Sequence, residues 1–268
     1  MNRENMLKKI INGIDAIRGL MAFMTKIPMG NFKSGFKEMS HHYTFIIFIG
    51  LFIGLIGAPC SYPFYYFDIG GIIVGVVVLF VMLYIQGFHH VDGLGDYGDA
   101  WMVMGAPEKK LIVMRDKYMG VGAFAFIFFV ELLSISAISA IYLNSTFLQF
   151  VKLIILAEGC SRLGSLCCAS LGAPSNSGTG RYFIENTKKI HLFIGIIILL
   201  FISYLIGIFK IGLMAVAVAV LVGIVIVKSS KKSFGCITGD ILGASCEITR
   251  AFVLLIMVFL ININMGII

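Results

Sequence analysis

Seven stretches of about twenty mostly apolar residues dominate this chain, and a run of that length is what a helix needs to cross a bilayer. They cover residues 43–64, 69–88, 121–143, 147–171, 190–209, 211–228 and 241–263. The composition agrees: 59% of the 268 residues are hydrophobic and 13% charged, with a mean hydropathy of +0.98. Soluble domains carry about 25% charged residues, and one water-soluble core of this length cannot bury so much apolar surface. The expected fold is all-α: a polytopic integral membrane protein of about seven transmembrane helices in a single membrane-embedded domain, 1–268.

Residues 1–42 form an amino-terminal interfacial segment. Its basic start, Arg3, Lys8 and Lys9, leads into a stretch broken by Asp15, Arg18 and Lys26 rather than an uninterrupted apolar core, so we read no secretory signal there. Positions 10–27 mix apolar and basic residues as a helix lying on a membrane does, a pattern that a short soluble extension also fits.

The net charge of +7 follows topology and does not call for nucleic acid. Seventeen of the 21 Lys and Arg residues fall before the first span or in the second, fourth and sixth connections, and only Lys152 and Lys210 fall on the opposite side. Because basic loops stay inside, the amino terminus is expected in the cytoplasm of a multi-pass protein of the cell membrane. The six cysteines, with none at a zinc-ligand spacing, read as small packing residues.

Chemistry concentrates in the polar segments on the basic side. In His89-His90-Val91-Asp92-Gly93-Leu94-Gly95-Asp96-Tyr97-Gly98-Asp99, three of the 14 acidic residues crowd into eight positions with no basic partner. On a helix, Asp92, Asp96 and Asp99 share a stripe roughly 60° wide, although Gly93, Gly95 and Gly98 weaken a helix there. Hard carboxylate oxygens favour Mg²⁺, which phosphate oxygens and water usually complete. Asp92, Asp96 and Asp99 are therefore candidate metal ligands, and His90, Asp96 and Asp99 are candidate proton-transfer groups. A solvated acidic loop is the plainer alternative.

Two further segments join this one. Arg115, Asp116 and Lys117 precede the third span, where the basic pair can meet phosphate or merely anchor the loop. In Thr238-Gly239-Asp240-Ile241-Leu242-Gly243-Ala244-Ser245-Cys246-Glu247, Asp240 and Glu247 are seven apart and share one helix face. Glu247 then lies at membrane depth, where an ionisable residue is a functional candidate or a partner for Arg250. Asp240 also fits a helix cap. Glu158 and Arg162, four apart, are expected to pair. Arg181, in the Gly- and Ser-rich loop 172–181, is a further candidate phosphate contact.

In order and spacing, Phe23-Met24-Thr25-Lys26-Ile27-Pro28, His90-Val91-Asp92-Gly93-Leu94-Gly95-Asp96-Tyr97-Gly98-Asp99, the 116–122 stretch, and Thr238 to Ala244 followed by Glu247 resemble the blocks of the cobalamin synthase family. The resemblance covers nearly the whole chain, but Ala100 stands where many relatives have Gly, and residues 172–181 match only loosely. It implies a Mg²⁺-dependent transferase that joins α-ribazole, or its 5′-phosphate, to adenosylcobinamide-GDP with release of GMP. It also implies that Arg115, Asp116, Lys117, Arg181, Thr238, Asp240 and Glu247 bind substrate. The bilayer is the other implied partner, and a homo-oligomer or association with other corrinoid-pathway enzymes stays open.

Two other readings use the same residues. A CDP-alcohol phosphotransferase or intramembrane prenyltransferase would use an aspartate cluster and Mg²⁺ with different spacing. An ion-coupled transporter would use Glu131, Glu158 and Glu247 as coupling sites.

Overall fold

The computed structural model describes residues 3–263, which are helical apart from connecting turns and one isolated bridge. The helices are α1 (Arg3–Met24), α2 (Phe36–Ser40), α3 (Ile46–Gly57), α4 (Tyr62–Tyr66), α5 (Gly71–Gln86), α6 (His89–Met102), α7 (Pro107–Val113), α8 (Val121–Leu143), α9 (Phe147–Leu171), α10 (Gly180–Asn186), α11 (Lys189–Leu205), α12 (Phe209–Phe234) and α13 (Gly239–Ile263).

Five stretches are long and apolar enough to cross a bilayer by themselves: Tyr43–Tyr66, which joins α3 to α4 through 3₁₀ turns, and α8, α9, α12 and α13. The shorter α5 and α11 bring the number to seven, and each adjoins another helix at a sharp angle, 94° between α5 and α6 and 90° between α10 and α11. The expected spans thus reappear, two of them to the residue, while α12 runs six residues past its expected end.

The bend after α5 is made by two successive left-handed residues, Gly87 (φ 72°) and Phe88 (φ 61°). Glycine adopts that conformation without cost, but phenylalanine does so only where the surrounding structure holds it. The bend swings the acidic segment across the ends of the spans, so that α6 packs against both α8 and α13.

Helix α9 is the centre of the bundle, with 17 of its 25 residues buried. Its neighbour α3 lies very close: a Cβ at Gly50 would stand 2.5 Å from the Glu158 carbonyl oxygen. Because that obstacle is backbone, it cannot rotate away. Gly50→Val is therefore expected to destabilise the detergent-solubilised protein by about 1–3 kcal/mol, read as a lower unfolding temperature. An unchanged temperature would mean that the two helices can separate without loss.

Polar contacts tie each end of the bundle. At one end the Tyr65 hydroxyl donates to the carbonyls of Tyr142 (3.1 Å) and Ser145 (3.2 Å), and Tyr142 donates to Ile69 O (3.0 Å). At the other, Ile237 N donates to Ala173 O (2.8 Å) and Lys26 N to Ile85 O (2.7 Å).

The amino-terminal segment is a helix folded over this second end. Ala16 and Leu20 are buried, while Ile10, Ile11 and Ile14 are exposed, giving α1 an outward apolar face. Asp15 fixes the following loop by accepting from Lys33 N (2.8 Å), Ser34 N (2.9 Å) and Ser34 Oγ (2.9 Å). These bonds, that from Lys33 foremost, hold its carboxyl below the usual carboxylate range.

Candidate active site

The acidic segment is helical despite its three glycines, which serve as contact points. A Cβ at Gly93 would meet the Asp240 backbone at 2.8 Å, and one at Gly98 would meet Gly122 O, also at 2.8 Å. Only glycine allows α6 to approach α13 and α8 this closely. Packing against two neighbours offsets the low helix propensity, which costs only about 1 kcal/mol per glycine.

That approach gathers the carboxylates at the end of the bundle where α8 and α13 begin. The charges of Asp240, Asp92 and Asp99, in that order, act on the partly buried Asp96. Asp99 is also the helix cap of α8: its two oxygens accept from Gly120 N (2.6 Å) and Ala123 N (2.8 Å). Among the described residues, no three His, Cys, Asp or Glu side chains are arranged to hold a metal ion. The carboxylates are hard oxygen donors of like charge that act on one another, and a divalent cation such as Mg²⁺ would relieve their repulsion.

Two adjoining cavities open beside this cluster. The first, about 220 Å³, is lined by the polar His89, His90, Asp92 and Asp240 and by the apolar Phe23, Met24, Tyr43 and Phe183. The second, about 280 Å³, is lined by Arg115, Ser177, Thr238 and Asp240 among others. Thr179, Gly180, Gly239 and Asp240 line both, so they form one cleft. Thr238 Oγ1 accepts from Ile241 N at the start of α13 (3.3 Å), and Arg115 Nη2 donates to Ser177 Oγ (2.8 Å), tying loop 172–181 to the turn that follows α7.

Other expected site residues stand apart. Lys117 and Asp116 are exposed, with Asp116 Oδ1 accepting from Tyr118 N (3.3 Å). Arg181 also lines neither cavity and is paired with Glu185 (2.6 Å). Glu247 is fully buried and is engaged by Arg250 through two bonds, the longer one 3.1 Å from Nη2 to Oε1.

The convergence of Arg250 on acids of two other helices has no signature in the spacing of the sequence. Arg250, from α13, also donates to Glu158 of α9 (2.5 Å) and lies 3.8 Å from Glu131 of α8. The expected Glu158–Arg162 pair is present at 3.4 Å. Arg250 thus lies within ion-pair distance of all three intramembrane glutamates, and Arg162 within reach of Glu158.

The network also reaches the cleft: His90 Nδ1 lies 2.8 Å from Gln86 Oε1 and 3.7 Å from Glu247 Oε1. The Gln86 amide donates to Met82 O (3.2 Å), which turns its oxygen toward His90 and assigns the proton to Nδ1. The other ring nitrogen is left as an acceptor. Gln86 ends a fully apolar helix, and a sequence pattern reads it as a boundary residue only.

A helical bundle with five to seven candidate spans thus carries at one end a polar cleft of carboxylates, histidine and arginine, as a membrane protein handling a charged substrate would. The chain belongs to the cobalamin-5-phosphate synthase family, whose profile matches residues 16–258. It is 30% identical over 249 residues to an adenosylcobinamide-GDP ribazoletransferase of Clostridium acetobutylicum, covering 88% of this chain and 92% of that protein. A protein of the same name from Methanocella arvoryzae is 29% identical over 262 residues (89% and 93%), and one from Thermococcus kodakarensis is 27% identical over 252 (90% and 97%). No solved structure matches the chain.

Proposed function

We propose that this protein joins α-ribazole, or its 5′-phosphate, to adenosylcobinamide-GDP, releasing GMP and forming adenosylcobalamin or its 5′-phosphate. The observation that carries this reading is the cleft itself, in which Asp240 is shared by a cavity holding His90 and Asp92 and a cavity holding Arg115 and Thr238.

In the reaction, a ribose hydroxyl attacks the corrinoid-side phosphorus and the bond from that phosphorus to the bridging oxygen breaks. GMP leaves with the electron pair, and the hydroxyl proton must be taken up. We assign this to His90, whose Nδ1 lies 2.8 Å from Gln86 Oε1: with the ring proton given to that oxygen, the other nitrogen accepts. Arg115 offers its guanidinium to phosphate oxygens. Asp92 and Asp96, beside Asp240 and the unused lone pairs of Asp99, would hold Mg²⁺. Bound there, Mg²⁺ supplies neutralisation of the diphosphate and its leaving group.

The cleft faces the cytoplasm in this reading, because the basic connections lie at its end of the bundle. That placement suits nucleotide-linked substrates. Single cysteines replacing Lys109, Ser177 or Lys231 in a cysteine-free background should resist an impermeant thiol reagent in intact cells and react after permeabilisation. Labelling of any of them from outside would reverse the orientation.

The reaction is tested by purified protein in detergent, which should release one GMP for each corrinoid product only when both substrates are present.

A further inference from the structure

We infer that the aromatic wall formed by Phe23, Tyr43 and Phe183 is a subsite for an apolar, planar base, that of the incoming riboside rather than the guanine of the leaving nucleotide. The inference rests on the reaction proposed above, and it names which substrate part the wall takes.

The three rings come from distant parts of the chain, α1, the start of the first span and α10, yet they meet in the lining of the cavity that also holds His90, Asp92 and Asp240. Phe23 and Phe183 lie nearly parallel, 13° apart with centroids at 5.9 Å, and Tyr43 adjoins Phe183 at 4.8 Å. Phe183 and Tyr43 are buried, while Phe23 is 36% exposed and is the ring of the three most open to a ligand.

A ligand spanning this cavity has to be planar and apolar at one end and phosphate-reactive at the other, with a short polar link between. A nucleoside has that form. Of the two bases in the reaction, guanine has an edge of donors and acceptors that must be matched, at about 1–3 kcal/mol for each group left unpaired. The wall offers one hydroxyl, Tyr43, already 2.9 Å from Ser165 Oγ. A benzimidazole has little polar edge to satisfy and gains stacking worth about 1–3 kcal/mol.

The test replaces Phe23 and Phe183 singly by leucine, which keeps apolar volume and removes the ring face. Binding of α-ribazole alone to the full chain in detergent is measured by equilibrium dialysis, and the KM of each substrate by GMP release. The expected result is weaker binding and a KM for α-ribazole raised about tenfold, with the KM for adenosylcobinamide-GDP within about twofold of wild type. Unchanged α-ribazole binding, or a rise confined to the KM for adenosylcobinamide-GDP, would overturn the assignment. Should the wild type bind α-ribazole and the leucine variants lose it while no GMP is released, the subsite stands and the proposed reaction falls.

Discussion

Asp96→Asn is expected to lower the rate of GMP release by about two orders of magnitude or more, equivalent to roughly 3 kcal/mol of transition-state stabilisation. The substitution keeps the size of the side chain and removes one charge from the centre of the acidic group, where Asp92, Asp99 and Asp240 all act on it. A carboxylate that helps hold Mg²⁺ against a diphosphate cannot be replaced by an amide at small cost, whereas a solvated surface residue can. Turnover is compared with wild type across a Mg²⁺ titration, with matched elution profiles to show intact folding. A mutant that turns over at the wild-type rate at low Mg²⁺ would remove Asp96 from the metal-holding set.

The second large effect is on stability. Arg250 is fully buried and contacts Glu131, Glu158 and Glu247 on three different helices. Both Glu131 oxygens already lack a hydrogen-bond partner, so removing the guanidinium leaves Glu131 and Glu247 without an arginine and Glu158 with Arg162 alone. Breaking a buried ion pair from one side costs about 3–5 kcal/mol. Arg250→Ala should therefore lower the unfolding temperature in detergent by on the order of ten degrees. Arg250→Met combined with Glu131→Gln and Glu247→Gln should recover most of that loss, because Glu158 keeps Arg162 and the two carboxylates that depended on Arg250 are then neutral. Unfolding of Arg250→Ala at the wild-type temperature would show that water or lipid headgroups already compensate these acids.

The spans were legible because each carries its own signal: α8 and α9 could be bounded to the residue from apolar length and flanking polar residues alone. The capping box at Thr146 and Gln149 is the kind of local feature that fixes such a boundary. The acidic segment was legible as a cluster, but its glycines count against a helix in sequence, and their use as contact points appears only once α13 and α8 are in place. The same holds for Asp99, whose capping of α8 across 21 and 24 residues no local pattern announces. Glu131, Glu158, Glu247 and Arg250 could each be flagged as costly inside a membrane. Their convergence depends on the rotation of three helices, which apolar runs such as these leave undetermined. The aromatic wall joins residues 160 positions apart in the chain, Phe23 and Phe183, and is equally invisible to spacing.

The most direct test of the reaction is made without a bilayer gradient. Purified protein in detergent, given adenosylcobinamide-GDP, Mg²⁺ and α-ribazole or its 5′-phosphate, should form GMP and the completed corrinoid in equal amounts, with neither product appearing when the riboside is omitted. Absence of GMP under these conditions from protein that elutes as a single folded species, or GMP release that does not depend on the riboside, would contradict the proposed transferase.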